Sequence, residues 1–184
     1  MLGALQTLAH GLDRLNRAAL FFCKHATIGL LAAIVVVVAA GVWWRYVLND
    51  SIAWTEEVAK YLMVWMTFTG APIALKYGRH VGIEVLPNSF PARLRQATYA
   101  IIYLIVLLVM TALTYYGYNL AINAAPQTAA NFKMSLLYVY ISMPIGTAIM
   151  FVVALEFFVE AITGIFDPRI GYVSPSDAAE EIGE

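Results

Sequence analysis

Charge is scarce in this chain. Asp, Glu, Lys and Arg make up 12% of 184 residues, about half the share in an ordinary soluble domain. Such a chain lacks the polar side chains to cover a surface facing water. Cysteine occurs once, as Cys23, which excludes an internal disulfide and any Cys-rich metal site. Its expected role is that of a small buried hydrophobe. The net charge is −1 and no basic block stands out, so nucleic acid is not an expected partner. None of the three histidines, His10, His25 and His80, falls inside an apolar run, which argues against a haem held by paired axial ligands between helices. No Ser-His-acid set, P-loop or metal-ligand spacing occurs. Neither an enzyme activity nor a cofactor is expected.

What the chain has in abundance is apolar sequence, 61% of all residues, gathered in long runs fenced by charge. Lys24 and Arg45 bracket 20 uncharged residues, Lys60 and Lys76 bracket 15, Arg95 and Lys133 bracket 37, and Lys133 and Glu156 bracket 22. About 20 residues are needed to cross a bilayer as a helix. The second run is short, but lysines at its edges can snorkel to the headgroups. The runs do not alternate polar and apolar, so helices rather than barrel strands are expected. The fold class is all-α integral membrane: four transmembrane helices preceded by an amphipathic helix at the interface. Spans are expected at about 26–47, 57–77, 96–121 and 135–162. The leader before the first run is too long and the run too extended for a cleaved signal peptide.

Eight of the 11 lysines and arginines fall in the N-terminal arm, in the connection between the second and third runs, and in the tail. The positive-inside rule then places both termini in the cytoplasm. The arm, residues 1–22, repeats Leu5, Leu8, Leu12, Leu15, Ala19 and Phe22 at helical spacing, as an interfacial helix would. Packing of this stripe against a partner's helix fits equally well. Asn49, Asp50 and Ser51 stop the first helix and offer a cap to the next. Glu56 and Glu57 favour the positive end of that helix, and Glu56 stands four residues before Lys60 in the favoured order for an ion pair. Pro72 and Pro144 lie in apolar runs beside Gly70 and Gly146, where kinks are expected. After residue 166 the acidic, apolar-poor tail reads as disordered.

Residues 28–42, 61–75 and 97–121 hold no ionisable acid or base except tyrosine. Carriers of charged solutes usually place such groups, or broken helices, at mid-membrane. The nearest candidates are Glu156 and Glu160, one turn apart near the cytoplasmic end of the last span. They repel each other, so a cation such as Arg14, Arg17, Arg93 or Arg95 is expected nearby unless both reach water. The bundle therefore reads as a partner subunit. A self-contained small exporter and a membrane anchor of a respiratory complex are the alternatives.

Several motifs carry a resemblance. Arg45-Tyr46, then Trp54-x-Glu56-Glu57, Gly70-Ala71 and Gly78-Arg79-His80-Val81-x-Ile83-Glu84, with Tyr140-x-x-x-Pro144-Ile145-Gly146, together resemble the small membrane subunit of tripartite ATP-independent periplasmic (TRAP) transporters, the DctQ-like family. The likeness runs over about residues 20–165. It implies a four-helix scaffold in the bacterial inner membrane. Its partners would be the lipid bilayer, a large membrane subunit that holds sodium and solute sites and moves as an elevator, and a periplasmic solute-binding protein that delivers a small carboxylate. Glu84 stands where many relatives carry aspartate, and the loop with Asn131, Phe132 and Lys133 departs further. No fusion to the large subunit is expected. Arg45, Trp54, Glu56 and Glu57 are expected to cluster at the periplasmic surface, bracing the first two helices or meeting the partner, with Gly78, Arg79 and His80 as the cytoplasmic counterpart and Glu84, Tyr140 and Pro144 as further interface or structural motif residues.

Overall fold

The structure, a computed structural model, describes residues 2–50, 52–77, 92–131 and 133–166; for 2–10, 92, 93 and 166 only the backbone is described. Helix α1 spans Leu2–Tyr46, α2 Ala53–Tyr77, α3 Ala92–Asn123, the single turn α4 Leu137–Tyr140, and α5 Ser142–Phe166. Four helical stretches are long and apolar enough to cross a membrane, α4 and α5 together forming the fourth.

One difference from the expected layout lies at the N-terminus. Interfacial helix and first span are a single helix of 45 residues, about 68 Å at 1.5 Å per residue, against a hydrocarbon core of about 30 Å. No proline occurs before Pro72, so nothing in the backbone ends the helix between arm and span. The inward face also differs from the leucine stripe. Leu15 and Phe22 are 58% and 73% exposed, while Asn16, Leu20 and Cys23 are buried. The face was set by what Asn16 meets on α5, which periodicity alone does not reveal.

Helix α1 ends where expected. Asn49 adopts a left-handed φ of 52°, which asparagine tolerates better than most residues. The Asp50 N–H then reaches back to the Trp44 carbonyl at 3.2 Å, satisfying one of the carbonyls left open at the helix end.

Contacts fix the register. Thr27 Oγ1 donates to Thr69 Oγ1 at 3.1 Å, and Gly41 lies against Thr55, so α1 and α2 run antiparallel. Thr114 and Thr147 hydroxyls share a hydrogen bond of 2.9 Å and Tyr103 tilts over Phe157, so α3 and α5 are antiparallel as well. Gly146 meets Phe68 and Glu156 meets Lys76, which makes α2 and α5 parallel. This is the alternation four successive spans require. Helix α5 is central and packs on α1, α2 and α3. In its most apolar stretch 44% of residues are buried, whereas none are in that of α1. The apolar flanks of α1 and α3, including Leu31, Val35, Ile105 and Leu108, are exposed and must face lipid or another subunit.

The two prolines act differently. Pro144 cannot supply an N–H to the Tyr140 carbonyl, and the helix is interrupted at Ile141, between α4 and α5. Pro72 sits inside a continuous α2, and it is the Phe68 carbonyl that loses its helical partner. A Cβ on Gly146 would overlap that carbonyl. Glycine therefore lets the backbone of α5 lie on the point where the α2 ladder is open.

Candidate functional site

The described charged side chains gather at the two ends of the bundle. At the end where α2 finishes, Lys76 Nζ lies 2.7 Å from Glu156 Oε2, and Asn16 Nδ2 donates to the same oxygen at 2.7 Å. Glu156 is 1% exposed, and the Lys76 ammonium also sits 4.8 Å from the centre of the Phe157 ring. Three helices thus converge on one carboxylate oxygen. A buried charge is tolerated only when paired and further hydrogen-bonded, and all these conditions are met by groups from different helices. One turn outward, Asp13 and Arg17 are ion-paired on α1. Glu160, on the next turn of α5, makes no ion pair among the described residues.

This corrects the sequence reading. Glu156 does not reach water, and its cation is Lys76 rather than Arg14 or Arg17; the side chain of Arg93 lies outside the described residues. In sequence Lys76 marks only the edge of an apolar run. Its pairing depends on α2 and α5 running parallel and in contact, which the sequence does not display.

At the opposite end the expected cluster divides in two. Arg45 and Glu56 form an ion pair between α1 and α2. The helical pair expected between Glu56 and Lys60 does not occur among the ion pairs of the described residues; Glu56 pairs with Arg45 instead. Glu57 faces another element. It accepts from Tyr61 Oη at 2.6 Å, from the N–H groups of Ala130 and Asn131 at 2.8 and 2.9 Å, and from Asn131 Nδ2 at 2.9 Å. Two successive backbone N–H groups closing on one carboxylate make a small anion nest. The loop that presents them is folded on itself by Ala129 N–H to Met134 O and Leu136 N–H to Gln127 O. Asn131, set aside in sequence as a departure from the family pattern, is thus the residue that receives Glu57. Trp54 is 47% exposed, and like Trp43 and Trp44 it suits an interfacial belt.

Of the remaining candidates, Pro144 is buried against α3 near Gly117, and Tyr140 ends the α4 turn, whose Tyr138 carbonyl accepts from Trp65 Nε1 at 2.9 Å. Gly78, Arg79, His80, Glu84 and the tail lie outside the described residues. No group of His, Cys, Asp or Glu placed to hold a metal ion occurs among the described residues. Chemically, both clusters hold elements of the chain together: Glu156, Glu56 and Glu57 are each occupied by partners within the chain.

Residues 34–164 match the family model of the DctQ component of tripartite ATP-independent periplasmic transporters. A Haemophilus influenzae protein named for a TRAP transporter small permease is 36% identical over 87 residues, 47% of this chain and 50% of that protein. The sialic acid TRAP transporter small permease protein SiaQ of Vibrio cholerae is 29% identical over 124 residues, 67% of this chain and 72% of SiaQ. The sialic acid TRAP transporter permease protein SiaT of Haemophilus influenzae is 26% identical over 121 residues, 66% of this chain but 20% of SiaT. The chain thus spans about half the length of the first of these relatives and a fifth of the last. With a family match that takes in part or all of each of the four spans, the chain belongs to the DctQ component family of the tripartite ATP-independent periplasmic transporters.

Proposed function

We propose that this chain is the stationary small permease subunit of a TRAP importer in the bacterial inner membrane, with both termini in the cytoplasm. It braces a large subunit that carries sodium and solute and moves as an elevator, and a periplasmic binding protein delivers the cargo, a small carboxylate. The reading is supported by family membership and above all by one observation. The most deeply buried carboxylate, Glu156, is held by Lys76 and Asn16 of two other helices, so it serves cohesion rather than cargo. The apolar surface left open on α1 and α3 gives a large subunit something to pack on. SiaQ is named for sialic acid, itself a carboxylate, which supports the cargo class. In SiaT the matched stretch is a small part of a longer permease, as a fusion of small and large subunits would give.

The test is reconstitution. The chain purified alone in proteoliposomes should move no solute, and the chain joined to the large membrane subunit, with the binding protein and a sodium gradient, should take up a carboxylate. Solute movement by the lone chain would overturn the reading.

A further inference from the structure

Between α1 and α2, at the end of the bundle where α2 stops, the structure has a cavity of about 420 Å³ lined by Arg17, Leu20, Phe21, Lys24, Ile73 and Tyr77. We propose that this cavity is a binding site for the headgroup of an anionic phospholipid. Its α1 wall lies before residue 34, outside the stretch that matches the family model.

The lining carries two cations and no acid. Lys24 makes no ion pair among the described residues. Arg17 gives Nε and Nη2 to Asp13, which orients the guanidinium and leaves Nη1 as a further donor. Over residues 11–25, Arg14, Arg17 and Lys24 stand against Asp13 alone, so this segment keeps a net positive charge. Tyr77, 65% exposed, adds a hydroxyl. Leu20, Phe21 and Ile73 supply an apolar wall. Phosphate-binding donors beside an apolar wall, at the edge of a span, match the junction of headgroup and acyl chain. Basic pockets between membrane helices recognise anionic lipids on this basis. The amine of a zwitterionic headgroup finds no carboxylate in the lining, so net-negative lipids are favoured. The Lys24 stem is long enough to lie along the apolar wall while its ammonium reaches the headgroup level.

Native mass spectrometry of the full chain in neutral detergent tests the site, with phosphatidylglycerol and phosphatidylcholine of identical acyl chains as probes. Phosphatidylglycerol should bind more tightly. Lys24→Gln and Arg17→Gln should each weaken it roughly fivefold, the worth of one cation at an anionic surface. Lys24→Arg should keep the affinity, and Lys60→Gln at the far end should not change it. Lys24 is exposed, so Lys24→Gln remains informative even if Arg17→Gln disturbs the arm. Equal binding of the two lipids, or unchanged phosphatidylglycerol binding by Lys24→Gln, would overturn the proposal. Displacement of the lipid by an equal concentration of inorganic phosphate would overturn it in favour of a soluble anion, and exclusion of lipid by the large subunit in favour of a protein contact.

Discussion

The two ends of the bundle each carry an ion pair between helices, and the pairs differ in their surroundings. Lys76 and Glu156 have side chains 16% and 1% exposed, whereas Arg45 and Glu56 are 50% and 58% exposed. Breaking a buried pair leaves a charge without solvent or partner, while breaking an exposed pair returns both groups to water. The Arg45–Glu56 pair is therefore the one that should cost less to break. What secures its end of the bundle is Glu57, which binds backbone N–H groups of a loop. At the other end the security comes from one oxygen shared by three helices.

The comparison can be broken most sharply at the buried end. Lys76→Met or Glu156→Leu alone should destabilise the chain by about 3–5 kcal/mol, and the pair of changes together should recover most of that loss, because a packed apolar replacement avoids burying charge. Reversible unfolding of the full chain in micelles reads both effects; equal loss in single and double variants would contradict a buried pair.

A smaller effect is expected where α2 and α5 touch. A Cβ at Gly146 would stand 2.8 Å from Phe68 Cβ and 3.0 Å from its carbonyl carbon, so Gly146→Ala should cost about 1–3 kcal/mol by overpacking. Gly29→Ala, with nothing within 4 Å, should be neutral or slightly stabilising by helix propensity.

At the exposed end, Glu57→Gln should loosen the loop without unfolding the bundle. Amide exchange at Ala130 and Asn131 should rise while the α5 core stays protected. Arg45→Gln or Glu56→Gln should change stability by less than about 1 kcal/mol. Exchanging the two, Arg45→Glu with Glu56→Arg, should restore what either single reversal loses. A cost at Arg45 as large as at Lys76 would erase the distinction between the ends.

The contrast also shows what sequence carries and what it does not. The four spans were legible because long uncharged runs have few other uses in a chain so poor in charge. The stop after α1 was legible because Asn49 suits a left-handed position. The pairing of Arg45 with an acid of the next helix was legible because a short connection brings the two together. The Lys76–Glu156 pair, 80 residues apart, was hidden, since its formation rests on which helices are neighbours. Asn16 was hidden because it lies beside the leucine stripe, on a face that periodicity did not single out. Seen with α5 in place, it marks the inward face of α1. Asn131 was hidden because two of the three bonds that it and Ala130 give to Glu57 come from backbone N–H groups, which carry no side-chain signature.

The most direct test of a cohesive rather than cargo-bearing role is solute uptake, in the reconstitution proposed above, by a transporter assembled with the Lys76→Met/Glu156→Leu chain. Uptake per assembled complex should match that of the unaltered transporter, since the cavity of charge is replaced by packed side chains and the large subunit is untouched. Abolished uptake in complexes that still assemble would show that Glu156 or Lys76 takes part in translocation, and the scaffold role would fail.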